Sequence, residues 1–264
     1  MSPALARRIA VAALMGLLSG CARLVPPDTN APNPLALAVV TWNMHAGAGD
    51  VAALTADLRA GRLTDAPVGD FVLLLQEATP AIAAFAEQQR LASAYRRIRE
   101  GPALTTGNAI LSTRPLTGVR SIDLPRERQP RGAVAAEIEV GGVPLFVVSA
   151  HLENRLGWLR GLFGDRARQR QAAALVAAVP PGHGIVGGDM NTMLGPNEPA
   201  LRALMARFAD TPRQPPAPTF RNRLTLDHLF FDLPDGWTAS RLVAPGTYRS
   251  DHHPVIGLVS RPRE

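Results

Sequence analysis

The order of apolar runs predicts a layered α/β or α+β domain. From Leu35 onward, short β-type runs alternate with helix-like stretches. Residues of metal-ligand or acid–base type recur where those runs end: Asn43, Glu77, His151, Asp189 with Asn191, Asp227 and Asp251. The chain has 264 residues and is 46% hydrophobic, which suits one sizeable globular domain or two small ones and excludes a disordered chain.

The elements follow in order. LALAVVTWN is a compact strand ending at Asn43. DVAALTADLRAG has helical periodicity, with Gly61 as its stop. DFVLLLQE is a buried strand ending at Gln76-Glu77. TPAIAAFAEQQRLASAY reads as a helix capped by Thr79 with Pro80 at its first position. GNAILST is a short strand, and RGAVAAEIEVGGVPLFVVSAHLE is a hairpin turning at Gly141-Gly142. DRARQRQAAALVAAV is helical, GIVGGDMN a strand with a polar end, and LTLDHLFFD and HPVIGLVS supply the last two strands. There is no internal repeat.

Residues 1–21 read as a lipoprotein signal peptide. Two Arg precede an apolar segment too short for an ordinary membrane-spanning helix, and small residues follow. Leu18-Ser19-Gly20-Cys21 resembles the lipobox at which a bacterial lipoprotein is cleaved and lipidated. Cys21 is the sole cysteine, so an intramolecular disulfide is excluded. Residues 22–34 are a Pro-rich polar tether and 35–264 the functional domain. The expected location is the bacterial cell envelope, lipid-anchored and periplasmic or outer-surface. The net charge is +6 with no Lys, so every Lys/Arg cation is the guanidinium suited to bidentate phosphate contacts. Composition bias is the favoured account of most of these Arg residues, since Ala and Pro are also abundant.

Taken singly, the polar run-ends are ordinary. Glu77 could be a helix-start acid, and Asp189 with Asn191 an Asx turn. A lone His151 at a strand end is commonly a hydrogen-bonded structural residue. On an extended stretch, however, Asp189 and Asn191 point to one side, where an acid and an amide can hold a water or a phosphate oxygen. Asp227 lies in a very apolar run and needs a partner if buried, for which His252 is a natural candidate. In Asp251-His252-His253, His253 reads as a solvated bystander, and His45 as a loop residue.

Together the ordered set TWNMHAG, LLLQEAT, GNAILS, RGAVAAEI, VVSAHL, GGDMNT, LDHLFF and SDHHPV resembles the endonuclease/exonuclease/phosphatase superfamily, from about residue 36 to 260. The resemblance implies a DNase I-like, four-layered α/β sandwich of two mixed β-sheets flanked by helices. It also implies a metal-dependent hydrolase of phosphate esters using Mg2+, with Mn2+ as an alternative. By that resemblance Asn43, Glu77 and Asp251 form the metal site. Asp189 positions or activates the attacking water, and Asn191 contacts the phosphate. His252 is the catalytic His, Asp227 its orienting partner, and His151 stabilises developing charge. Arg131 is a phosphate-side Arg.

The substrate is either nucleic acid or a phospholipid or inositol-phosphate group, with the lipidated N-terminus as the membrane contact and a monomer as the expected state. One alternative is a phospholipid or sphingomyelin-type phosphodiesterase at the membrane surface. Another, of a different class, is a catalytically silent binding lipoprotein. In HLENRLGWLRGLFGDRARQRQ, apolar Leu156, Trp158, Leu159, Leu162 and Phe163 interleave with Arg155, Arg160, Arg166, Arg168 and Arg170. This segment fits a membrane-dipping loop, a nucleic-acid surface, or an insertion packed on the domain.

Overall fold

A computed structural model describes residues 34–154, 164–213 and 217–263. The expected signal peptide, Cys21, nearly all of the expected tether and the apolar part of the 155–170 segment lie outside the described residues. Strands β1 (Leu35–Asn43), β2 (Phe71–Ala78), β3 (Ala92–Arg99), β4 (Thr106–Ser112), β10 (Thr238–Val243) and β11 (Val255–Ser260) form one sheet in the order β10-β11-β1-β2-β4-β3. The second sheet runs β5-β6-β7-β8-β9, from Thr117–Asp123, Gly132–Val140, Val143–His151, Gly184–Asp189 and Asp227–Asp232. Parallel β1–β2 and β7–β8 pairs stand among antiparallel ones, so both sheets are mixed.

Three apolar layers account for the near-continuous hydrophobic runs. Val39, Val72, Leu74 and Ile110 of the first sheet meet Val134, Val147, Ile185 and Leu229 of the second. The alternate residues Val40, Trp42, Leu73 and Leu75 face outward, onto Leu54 and Leu58 of α1 (Val51–Arg59) and Ile82 of α2 (Ile82–Gln88). Behind the second sheet, Val148, Val186 and Phe230 pack on Leu175 of α3 (Gly164–Ala178) and Leu201 and Leu204 of α4 (Pro199–Arg207). Strands buried on both faces lose the polar alternation of a half-exposed sheet. The layer order helix–sheet–sheet–helix is the four-layered α/β sandwich expected from the sequence.

The helix expected from Thr79 to Tyr95 is shorter. It spans Ile82–Gln88, with no side-chain cap at Ala81, and the chain turns at Arg90, whose φ is 55°. Ala92–Arg99 instead forms β3, because it can pair with β4 across the register Ala92↔Ser112 to Arg99↔Thr106. Long-range pairing overrode helical propensity there. At the predicted hairpin, Gly141 and Gly142 do turn the chain, with φ of 58° and 77°.

Gly187 sets the distance between the sheets. A Cβ there would lie 2.7 Å from Leu74 Cδ1 and 2.9 Å from Thr41 Cβ, both on the opposing sheet. Close backbone approach beside β8 brings the ends of the two sheets within side-chain reach of each other.

Candidate active site

Three of the sequence-predicted residues share one row of the second sheet. His151 is paired with Asp189 across β7–β8, and Asp189 with Asp227 across β8–β9. The first sheet answers from the facing side. Asn43, the last residue of β1, donates through Nδ2 to Asp189 Oδ2 at 3.0 Å. His252, just before β11, brings Nδ1 to 2.7 Å from Asp227 Oδ2. His252 Nε2 then lies 4.0 Å from Asp189 Oδ2, and His151 Nε2 lies 3.5 Å from that same oxygen.

Asp189 and Asn191 are close, but not as two residues on one face of an extended strand. β8 ends at Asp189, and Asn191 takes a φ of 51°. The Asn191 N–H donates to Asp189 Oδ1 at 2.9 Å, while Asn191 Nδ2 donates to the Leu152 carbonyl at 3.1 Å. The turn therefore fixes both oxygens of Asp189, one by its own loop and one by Asn43.

The buried cluster divides its charges. Burial raises the Asp189 pKa to about 6, aided by neighbouring Asp227 and opposed by His252, Asn43 and Asn191. For His252, burial works against the cation, but Asp227, Asp189 and Asp251 outweigh it and raise the pKa to about 9. Burial, with Arg131 and His252 adding repulsion, drives His151 well below the ordinary imidazole value. At neutral pH the arrangement is a carboxylate, a cationic His252 and a neutral His151. Two titratable groups pushed apart in this way are equipped for opposite proton-handling tasks.

Glu77 reaches the site by a distortion. The β2–β4 register shifts between Leu75 and Ala78, and Glu77 has a φ of 53°. Such bulges re-aim side chains. Its Oε2 accepts from the Ala46 N–H at 2.8 Å, and Oε1 accepts no hydrogen bond among the described residues. Asn43 Oδ1 accepts from the His45 N–H. Asp251 Oδ1 lies 2.7 Å from His45 Nδ1, and its Oδ2 3.3 Å from Arg221 Nη2. Glu77, Asn43 and Asp251 thus present oxygen donors with few carboxylates, a set that fits Mg2+. Asp189, Asp227 and His252 also place ligand atoms within 4.8 Å of one another, an acidic cluster able to hold a cation. In that cluster His252 Nδ1 is already engaged by Asp227 Oδ2 at 2.7 Å. Arg131 borders the same cleft as Glu77 and His151, and its Nη2 donates to Gln129 Oε1 at 2.6 Å.

The two histidines left outside the site are not alike. His253 is buried rather than solvated, with Nδ1 2.9 Å from the Ala244 carbonyl. His45 is half-exposed but sits directly on Asp251. Of the Arg residues expected on a membrane or nucleic-acid surface, Arg168 is fully buried and paired with Glu198, and Arg170 is paired with Glu127.

The supporting residues escaped the sequence reading. Gln76 Nε2 donates across the sheet gap to Ser149 Oγ at 3.1 Å, and Ser149 Oγ donates to the Leu75 carbonyl. Asn108 donates to the Gly132 carbonyl at 2.7 Å. Trp42 Nε1 donates to the His252 carbonyl at 3.0 Å, and Phe220 lies with its ring centroid 4.8 Å from that of His252. Polar residues inside otherwise apolar runs were the only available signal for Gln76, Ser149 and Asn108.

A family model described as the endonuclease/exonuclease/phosphatase family matches residues 40–252, which span every one of these groups. The chain belongs to that family. It is accordingly a hydrolase of phosphate esters. Solved structures share the fold at low identity. An endonuclease/exonuclease/phosphatase from Beutenbergia cavernae superposes with a TM-score of 0.63 and 17% identity, over 86% of this chain and 72% of that one. The human Nocturnin catalytic domain with bound sulfate anion gives 0.61 and 20%, over 86% and 93%. D. rerio TDP2 complexed with single strand DNA product gives 0.60 and 16%, over 85% and 98%. No curated protein sequence matches the chain.

Proposed function

We propose that this family member is a Mg2+-dependent phosphodiesterase with nuclease-like chemistry, held by a lipidated Cys21 on an extracytoplasmic membrane surface, periplasmic or outer. The observation that carries the catalytic part is the buried cluster in which Asp227 Oδ2 lies 2.7 Å from His252 Nδ1, and Asp189 Oδ2 lies 3.5 Å from His151 Nε2 and 4.0 Å from His252 Nε2. Asp189, ionised at neutral pH and fixed by Asn43 and Asn191, accepts a proton from the attacking water. His252, kept cationic by Asp227, stabilises the charge that builds on the phosphoryl oxygens. His151, kept neutral, donates a hydrogen bond to the same phosphate, with Arg131 from the shared cleft and Asn191 from beside Asp189. Glu77, Asn43 and Asp251 would hold the metal, which when bound polarises a phosphoryl oxygen or stabilises the leaving one.

A silent binding protein would not require a charge-split acid–base pair sealed from solvent, which argues for catalysis. The test is hydrolysis of bis-p-nitrophenyl phosphate with Mg2+, with chelator, and in Asp189→Ala and His252→Ala. Turnover that depends on the metal and is lost in both variants supports the reading. Equal turnover by wild type and both variants overturns it. The anchoring part rests on the lipobox-like LSGC and is tested separately: Cys21→Ser should leave the membrane fraction or block processing.

A further inference from the structure

A cleft of about 300 Å3 opens beside His151 and Glu77 and continues over Arg99, Arg128 and Arg131. Glu77 is its single carboxylate. Neighbouring Arg residues outside the cleft find acids: Arg96 pairs with Asp123, Arg97 with Glu100 and Arg170 with Glu127. The guanidinium groups of Arg99 and Arg128 pair with no acid among the described residues. Arg131 is more buried. Burial lowers its pKa, Asp189, Glu153 and Glu77 offset this in part, and Arg99 adds like-charge repulsion. It therefore stands within electrostatic reach of both the catalytic acids and Arg99. Its Nε is buried without a hydrogen-bond partner. The loop bearing Arg128 and Arg131 is pinned, since the Arg128 and Gln129 N–H groups both donate to Glu153 Oε2, while Arg99 ends β3. A preorganised cleft with surplus cations calls for an anion larger than the one phosphate under attack.

We infer that Arg99 and Arg128 form a subsite for a second phosphate of the same substrate, flanking the phosphate that is cleaved. The substrate class is a polynucleotide strand, which carries a phosphate at every residue. The inference rests on the phosphodiesterase reading and sharpens it. Ile98 and Leu104 supply an apolar flank on which a sugar or base can lie, and Leu104 is 41% exposed. A choline headgroup fits poorly. Its quaternary ammonium would face three guanidinium groups, and the described lining has no Phe, Tyr or Trp to receive it.

Two measurements test this. The first compares kcat/KM for thymidylyl-thymidine with and without a terminal phosphate, at either the 5′ or the 3′ end. One phosphorylated form should exceed the bare dinucleotide by about tenfold, the scale of one charge-assisted contact. Arg99→Gln and Arg128→Gln should each bring that ratio towards one. The second measures, by calorimetry, binding of thymidine 3′,5′-bisphosphate against thymidine 5′-monophosphate. The bisphosphate should bind about tenfold more tightly to wild type and lose that advantage in Arg99→Gln. Equal wild-type affinities or ratios overturn the inference, as does an advantage that survives both substitutions. Sphingomyelin vesicles turned over faster than the phosphorylated dinucleotides overturn it too. Absence of any hydrolysis with the binding advantage intact would instead defeat the phosphodiesterase reading and leave the subsite standing.

Discussion

Asp227 Oδ2 lies 2.7 Å from His252 Nδ1, and the contact joins a strand of one sheet to the segment that leads into a strand of the other. Asp227 opens β9 of the second sheet and His252 precedes β11 of the first. The pair therefore exists only when the sheets have packed face to face. Around it, Trp42 Nε1 holds the His252 carbonyl, and Thr219 Oγ1 accepts from the Asp227 N–H at 3.1 Å. Assembly of the pair thus depends on the packing of the two sheets.

The first prediction concerns that contact. Asp227→Asn removes the largest influence holding His252 cationic. In the wild type the folded pKa is raised to about 9. The pair's stabilisation is thus complete below the unfolded value near 6.5 and is lost as pH rises through about 9. Activity that needs the cation should fall over that same upper range. In Asp227→Asn the alkaline limb of the pH–rate profile should move towards neutrality, and activity near pH 7 should drop on the order of 10²–10⁴-fold. An unmoved limb would assign it to another group.

Asp189 shifts stability in the same direction with pH, over a lower window. Its folded pKa, about 6, lies above the ordinary carboxylate value of 3.8. Between those values the folded state binds more protons than the unfolded one, so stability falls as pH climbs through that window. Asp189→Asn cannot ionise and escapes that loss. In chelator, the variant should melt higher than wild type at about pH 7.5, with the gap shrinking towards about pH 4, while hydrolysis is abolished. Thermal melts across pH check the prediction, and a constant gap would contradict it.

The row His151–Asp189–Asp227 was readable from strand ends because each residue closes or opens an apolar run. The sheet partners were not readable, and neither was β3, whose helix-like composition yields only when β4 lies beside it. The exposed edge strand β5, with a single buried residue, Ile122, offers no hydrophobic pattern to detect. Glu77 was visible as a strand-end acid, but the bulge and positive φ that aim it depend on β4. Gln76, Ser149 and Asn108 looked like blemishes in apolar runs. Their long-range partners lie 24 to 74 residues away, so only the packed sheets reveal them as a polar bridge.

That bridge gives a third prediction. Ser149→Ala leaves Gln76 Nε2 with fewer partners in the buried space between the sheets. The expected loss is about 1–3 kcal/mol, the usual range for a buried polar group deprived of a partner. Urea unfolding should show a lower midpoint with an unchanged slope. Ser149→Thr, which keeps the hydroxyl, should lose less if the extra methyl is accommodated at the Leu75 carbonyl.

The last prediction tests Arg168, which the sequence alone suggested for a surface role. Its side chain is fully buried and paired with Glu198, also fully buried. Arg168 Nη1 also donates to the Glu153 carbonyl at 3.3 Å, and Glu153 Oε2 accepts from the loop that precedes Arg131. Arg168→Met strands the Glu198 carboxylate in the interior and should cost about 3–5 kcal/mol. The double variant Arg168→Met with Glu198→Gln removes both charges and should recover much of that loss. Even then the Glu153 carbonyl lacks its donor, so the cleft loop should be looser. Chemical denaturation of the single and double variants reads the first effect, and KM for a dinucleotide reads the second. A double variant as unstable as the single one would show that Arg168 acts through packing of its aliphatic stem rather than through its charge.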